Sequence, residues 1–303
     1  MKTLLTHNGT FHADDVFAVA AFLLAHEGEE WQVVRSRESE AIEKADAVLD
    51  TGDIYDPVKL RFDHHMQGGS GVRENGIPYA AFGLVWKEFG AVICGGDFFV
   101  MKQIDDGLVS SLDAHDNGIK LYTELYPVFP FELSHYVKVH NPTWKEESDW
   151  GDKGDAKRLE IFLKLVDWAT ELLLREIKRY KDKNAAFELV QAAYAKSEDK
   201  RIVILDQFYP WNDAIMEYPE PLYVVYPTDS GRYGKWAAKT VSKEKNSFES
   251  RKPFPESWAG KRDEELQKAS GVSDATFCHN GRFLTIARSR EGAIELAKQA
   301  LQA

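Results

Sequence analysis

The sequence predicts an α/β protein: a mostly parallel sheet with flanking helices, followed by a second, smaller α/β domain reached through long helices. Three observations carry that expectation. Short apolar runs alternate with segments of helical period along the first part of the chain, the pattern of strands joined by helices. The regime changes at Pro127, Pro130 and Pro142, and a polar run from Lys145 to Asp155 follows. At 303 residues the chain is also longer than one average domain.

The first strand is expected at residues 2–6, and a polar loop from His7 to Asp15 leads into a helix over Val16 to Ala25. That helix carries Phe17, Ala20, Ala21 and Leu24 on one face. Asp14 and Asp15 fall at its start, where a carboxylate is also a good cap. Trp31 to Val34 reads as a strand, Glu38 to Lys44 as a helix, and Ala47 to Leu49 as a buried strand ending at Asp50-Thr51-Gly52. Leu60 and Phe62 alternate with charged residues, so Asp63-His64-His65 stands where a short strand ends. Ala80 to Phe89 and Phe98 to His115 look helical, and Asp116-Asn117-Gly118 stops the second. Further on, helices are expected over Arg158 to Lys181 and Ala185 to Ser197. Strands follow at Arg201 to Asp206, Leu222 to Tyr226, Trp236 to Val241 and Thr276 to Phe283, before a closing helix from Arg290 to Leu301. The expected division is 1–135 for a catalytic domain, 136–200 for a helical linker region and 201–303 for a substrate-binding domain.

Composition narrows the class. Hydrophobic content of 44% with eight Trp supports real cores rather than disorder. No run reaches the roughly 18 apolar residues of a membrane span, and the N-terminus turns polar by Thr6, so neither membrane nor signal peptide is expected. Cys94 and Cys278 are too few and too far apart for a disulfide framework or a thiolate zinc site, and a cytoplasmic location is the simplest fit. The net charge of −11 is unevenly spread. Residues 1–135 hold 10 Lys/Arg against 22 Asp/Glu, whereas residues 231–262 hold nine Lys/Arg against three Glu. The first half suits a site that gathers cations, and the basic stretch suits a phosphate or a solvated surface.

Chemistry concentrates at four junctions of the first domain: His7-x4-His12-x-Asp14, Asp50, Asp63-His64-His65, and Asp113 with Asp116. Adjacent imidazoles and carboxylates are expensive in an apolar core without partners. Mixed imidazole and carboxylate donors without thiolate suit Mn²⁺, Fe²⁺, Co²⁺ or Zn²⁺ rather than Ca²⁺. The set is too large for one tetrahedral ion and fits two ions sharing a carboxylate, the arrangement used for displacement at phosphorus.

These segments resemble the motifs of the DHH phosphoesterase superfamily. T-H-N-G-T-F-H-A-D-D, with His12 where that superfamily has its first Asp, is similar to a narrower group, as are V-L-D-T-G-D-I-Y-D-P, R-F-D-H-H and L-D-A-H-D-N-G. That group is the melanocyte-proliferating-gene family of metal-dependent hydrolases, whose eukaryotic members are described as 3′–5′ RNA exonucleases. S-F-E-S-R-K-P-F-P-E-S-W-A-G-K-R-D-E-E-L, F-C-H-N-G-R-F and S-R-E-G-A-I-E-L-A extend the likeness through the second domain. One departure is Leu284-Thr285-Ile286-Ala287, where the family usually has a Gly-Gly pair that would let backbone amides approach a phosphate.

The resemblance implies two divalent ions, most simply Mn²⁺, with Mg²⁺, Co²⁺ and Zn²⁺ as alternatives. His7 and His12 would ligate the first ion and Asp14 the second, with Asp50 bridging. His65 and Asp116 would complete the second site, with Asp113 the rival to Asp116. His64 would face the substrate as a phosphate contact or proton donor, and Asp63 would orient an imidazole. Asp15 is expected to be a helix cap, and His26, His135 and His140 structural. A second domain closing over the metals, as in the superfamily, would bring Arg251, Lys252, Arg262 and His279-Asn280-Gly281-Arg282 to the substrate, with Arg251 the first choice for a phosphate clamp. The implied substrate is RNA or a short oligonucleotide, and the acidic balance argues against long duplex DNA. Tyr233, Trp236, Phe248 and Trp258 are candidates for base stacking or core. A small-molecule phosphatase or pyrophosphatase, and a non-catalytic metal-dependent interaction protein, remain as other functions. A homodimer is compatible with the sequence.

Overall fold

The computed structural model describes residues 1–228, 235–245 and 247–303. The chain divides into two compact units, Met1–Tyr180 and Lys181–Ala303. The expected helical stretch 136–200 is therefore shared between them.

In the first unit, β1 (Lys2–Thr6), α1 (Ala13–Ala25), β2 (Trp31–Arg35), α2 (Ser39–Lys44), β3 (Ala47–Leu49), β4 (Tyr55–Asp56) and β5 (Arg61–Phe62) build a five-stranded sheet in the order β2-β1-β3-β5-β4. Four strands run parallel and β4 returns antiparallel to β5. Leu4, Val16, Phe17 and Phe62 are fully buried in one core with Phe82 and Trp86 of α3 (Ala81–Ile93). Then come α4 (Phe98–Ile104), a wide π turn at Asp105–Val109, and α5 (Ser110–Asp116), which together replace the single helix expected over 98–115. Two short helices follow, α6 (Leu133–Val139) and α7 (Trp144–Trp150).

The two helices expected over 158–181 and 185–197 are one, α8 (Gly154–Lys196), 43 residues long. Asp182-Lys183-Asn184 holds neither Gly nor Pro, so nothing local breaks the hydrogen-bond ladder. Phe162, Leu165, Val166, Ala169 and Leu173 recur at helical spacing and enter the first core. Val190, near its other end, belongs to a core of the second unit.

The second unit holds β6 (Ile202–Ile204), α9 (Asn212–Ile215), β7 (Tyr223–Pro227), β8 (Trp236–Thr240), α10 (Asp263–Ser270), β9 (Ala275–Cys278), β10 (Leu284–Ala287) and α11 (Arg290–Gln302). Its sheet runs β6-β7-β8-β10-β9, with only β6 and β7 parallel. The single strand expected at 276–283 is instead a hairpin, with His279 to Arg282 in its turn. Asn280-Gly281 is a turn signal strong enough to reverse the chain there. No described helix is long and apolar enough to cross a membrane.

Candidate metal centre

Three neighbouring parallel strands end together. β1 pairs with β3 at Leu5 and Val48, and β3 pairs with β5 at Leu49 and Phe62. His7, Asp50 and Asp63-His64-His65 therefore leave the sheet side by side at its carboxyl edge, where open α/β sheets bind ligands. The Asp50 amide donates to the Phe62 carbonyl at 3.0 Å, the last rung of the ladder. Asp50 then takes a left-handed backbone, φ 55°. Asp is among the few non-glycine residues that accept that conformation, and such residues cluster at functional sites.

Asp63 is an anchor. Its Oδ2 accepts the Asp53 amide at 2.6 Å, and its Oδ1 accepts the amides of His64 and His65 and lies 2.7 Å from His65 Nδ1. Burial pushes this carboxyl up, but the bonds from His65 and the backbone hold it below the ordinary range. The fixed loop sends the two imidazoles different ways. His64, with a side chain only 8% exposed, places Nε2 3.4 Å from Asp50 Oδ1 and 3.2 Å from Asp116 Oδ2. His65 is 53% exposed, with Nδ1 turned back to Asp63.

Helix α1 supplies the other wall. It begins at Ala13, three residues before the expected start, so Asp14 and Asp15 occupy its first turn. Asp15 does two things: Oδ1 accepts the His12 amide as a cap at 2.9 Å, and Oδ2 sits 3.1 Å from His7 Nε2. Arg35, invisible as a site residue in the sequence, reaches Asp15 from between the rings of Phe11 and Phe162. Asp14 accepts the Ala81 and Phe82 amides at 2.9 and 2.8 Å, the free N–H groups at the start of α3. Burial, with Asp116 and Asp50 nearby, pushes the Asp14 carboxyl well above its ordinary range.

The two carboxylates of α5 part company. Asp113 is completely buried, takes a 2.6 Å bond from Arg73 and accepts the Gly83 amide. A Cβ on Gly83 would stand 1.8 Å from Asp113 Oδ2, so this close approach needs glycine. Burial pushes the Asp113 carboxyl up to about 7 against the opposing pull of Arg73. Asp116, one turn on, faces His64.

Two donor sets result: His7, His12 and Asp50; and Asp14, His64 and Asp116. Within each set, ligand atoms lie within 4.8 Å of one another. Asp50 spans them, with Oδ2 3.3 Å from His7 Nε2 and Oδ1 3.4 Å from His64 Nε2. Asp50, Asp63, His64 and His65 form a third, overlapping group. Burial opposes protonation of His7 and His64, but the facing carboxylates, Asp15 and Asp50 for the first and Asp116 and Asp50 for the second, outweigh it and raise them to about 10 and about 11. Against burial, the same two imidazoles pull Asp50 well below the usual range.

His7 Nε2, Asp50 Oδ1 and His64 Nε2 are buried and lie 3.1–3.4 Å from opposite groups, yet none of them makes a well-aligned hydrogen bond. Orphaned polar atoms of this kind are costly unless something unseen satisfies them. Nδ1 of His7 faces the Asn8 carbonyl at 2.9 Å, which leaves Nε2 as its free lone pair. Convergent imidazole and carboxylate lone pairs, crowded with negative charge, fit divalent cations.

Comparison with known proteins shows the family. The sequence model of the uncharacterised protein family UPF0160, MYG1_exonuc, matches residues 3–301. The chain belongs to this family. It is 30% identical over 322 residues to the MYG1 protein of Schizosaccharomyces pombe, covering 98% of the chain and 97% of that relative. Identity to the MYG1 exonuclease of Homo sapiens is 31% over 327 residues, covering 98% and 85%. The MYG1 protein of Chlamydia pneumoniae is 28% identical over 309 residues, covering 99% and 97%.

The second unit of this MYG1-family chain treats its basic residues differently. Arg251 Nη1 donates to the carbonyls of Tyr218, Pro219 and Pro221 at 2.7, 3.2 and 3.1 Å. Lys252 donates to the Leu301 carbonyl, and Arg262 lies over the Phe277 ring. In the β9–β10 turn, His279 Nδ1 accepts the Gly281 amide at 2.9 Å, Asn280 is exposed, and Arg282 has a left-handed backbone. Trp258 is buried against Phe254, Trp236 is half-buried, and Phe248 is exposed. Tyr233 lies outside the described residues.

Proposed function

We infer that this protein is a two-metal phosphodiesterase, a 3′–5′ exonuclease acting on RNA or short oligonucleotides. The observation that carries the reading is Asp50, whose two oxygens face buried imidazoles from two donor sets, with three of those atoms making no well-aligned hydrogen bond. The printed name of the human relative, exonuclease, supplies the reaction class.

His7, His12 and Asp50 would hold one cation, and Asp14, His64 and Asp116 the other. This exchanges the two adjacent histidines relative to the sequence expectation: the buried His64 serves as ligand and the exposed His65 faces the substrate. Held by these residues, two divalent cations, most simply Mn²⁺, would supply Lewis acidity and activate water for attack on phosphorus. Water adds to phosphorus, the bond to the leaving oxygen breaks, and a proton passes to that oxygen. His65 would deliver it: Asp63 holds its Nδ1, and the ring is half-exposed. Asp113 stays with Arg73 as architecture. In the second unit, His279 of the β9–β10 turn is the remaining candidate for a substrate contact, since Arg251 Nη1, Lys252 Nζ and Arg282 Nη1 already donate to carbonyls.

The test is a substrate panel with Mn²⁺: 5′-labelled RNA, dinucleotides, p-nitrophenyl phosphate esters and pyrophosphate. The expected result is a ladder shortened from the 3′ end one nucleotide at a time. Rapid release of phosphate from pyrophosphate with RNA left intact would replace this reading by a small-molecule phosphatase.

A further inference from the structure

Beside the donor sets lies a cavity of about 330 Å³. His12, Asp14 and Asp116 line its metal side, and Ser134 and Lys138 of α6 line another part. A second cavity of about 460 Å³ shares His115 and Ser134 with the first and adds Tyr122, Phe129 and His135. All of these residues belong to the first unit. The surfaces run from a cation-gathering centre to an ammonium and a hydroxyl, then to aromatic rings with an imidazole, where Lys120, Glu124 and Glu132 also line the second cavity and Glu132 faces His115.

Three details say that this surface is built for an occupant. The Lys138 ammonium has no hydrogen-bond or ion-pair partner among the described residues. His135 Nδ1 is buried and has no partner either. Phe129 is 69% exposed and Tyr122 41%, although rings of this size are normally covered. An anion would pair the ammonium, a flat π face would cover the rings, and a polar edge would satisfy the imidazole. One chemical unit offers all three in that order, a nucleotide with its base unstacked.

We propose that the two cavities seat the terminal nucleotide of the substrate, with Lys138 on a phosphate oxygen and the Tyr122–Phe129–His135 wall around the base. The proposal rests on the phosphodiesterase reading for the identity of the substrate. It adds the part of the protein that recognises a chain end. A base already stacked and paired inside a duplex cannot enter such a seat without being pulled out of its stack, so single-stranded termini are favoured.

The experiment is calorimetric titration of the full-length, Mn²⁺-loaded protein with adenosine 5′-monophosphate and with ribose 5-phosphate. The first carries phosphate and base; the second lacks the base. Wild type should bind adenosine 5′-monophosphate about tenfold more tightly than ribose 5-phosphate, the scale of one stacked base. Lys138→Met should weaken both ligands by about tenfold, the loss of one charge-assisted hydrogen bond. Phe129→Ala should weaken only adenosine 5′-monophosphate, bringing it close to ribose 5-phosphate. Both side chains are exposed, so both variants should keep the wild-type circular dichroism and Mn²⁺ content. Equal binding of the two ligands to wild type, or wild-type affinity in either variant, overturns the seat. A Phe129→Ala protein that keeps its affinity but loses a dimer seen for wild type in sedimentation would assign the rings to a second copy instead, which also overturns it. Discrimination between ligands without any RNA ladder would leave the seat standing and remove the exonuclease reading; a ladder without discrimination would do the reverse.

Discussion

Two buried polar clusters lie in the first unit, and they are built on opposite terms. Around Arg73, whose side chain is 4% exposed, Asp113 and Asp105 take the guanidinium at 2.6 and 2.9 Å, and Gly83 adds a backbone donor. Around Asp50, the charges are as buried, yet three polar atoms make no well-aligned hydrogen bond to the opposite groups beside them. Folding alone explains the first cluster, because every group in it is satisfied within the chain. The second leaves bonding capacity of the kind a divalent cation takes up. Burial of charge is thus common to both, and unspent bonding capacity is what separates a site from a strut.

The contrast fails most visibly if Arg73 proves dispensable. Arg73→Met leaves two carboxylates without their cation, and the loss of one partner from a buried pair typically costs about 3–5 kcal/mol. Urea unfolding should show that loss; a change below about 1 kcal/mol would mean that the cluster is not a strut. Asp50→Asn tests the other side. Turnover on RNA should fall by at least about a hundredfold, worth about 2.7 kcal/mol in the barrier, and Mn²⁺ binding should drop from two ions to one or fewer. Stability should change less than in Arg73→Met. Wild-type turnover in Asp50→Asn would show that another carboxylate joins the two sets. The smallest effect sharpens the comparison in the second unit. Arg251→Ala removes donors to three carbonyls and should cost about 1.5 kcal/mol of stability while leaving KM unchanged. A raised KM at unchanged stability would return Arg251 to phosphate capture.

Much of the candidate metal centre is legible in the sequence, because each of its segments sits where an apolar run stops. Val48-Leu49 gives way to Asp50, and Phe62 gives way to Asp63-His64-His65. The sequence also named two carboxylates on α5 and preferred Asp116 to Asp113 only on its place beside Asn117-Gly118. That choice depends on Arg73, which stands in a Gly-rich loop with no periodicity to announce it. Which histidine of the pair turns inward was hidden for a similar reason: it follows from the Asp63 hydrogen bonds, which are local geometry rather than pattern. β4 is too short at two residues to leave a periodic signal. The β9–β10 turn was legible through Asn280-Gly281, yet the apolar residues on both sides suggested an unbroken strand.

The π turn at Asp105–Val109 has a further consequence, in helical phase. A single wide turn adds about one residue to the helix, and each residue advances the helix by about 100°. Everything C-terminal to it is rotated by that step relative to an uninterrupted α4–α5 helix. Asp113 and Asp116, three positions apart, lie on nearly the same side of α5, so they are re-aimed together. The turn also carries Asp105, the second carboxylate on Arg73. One added residue therefore acts as an angular offset, setting the bearing from which Asp113 meets Arg73 and Asp116 meets His64.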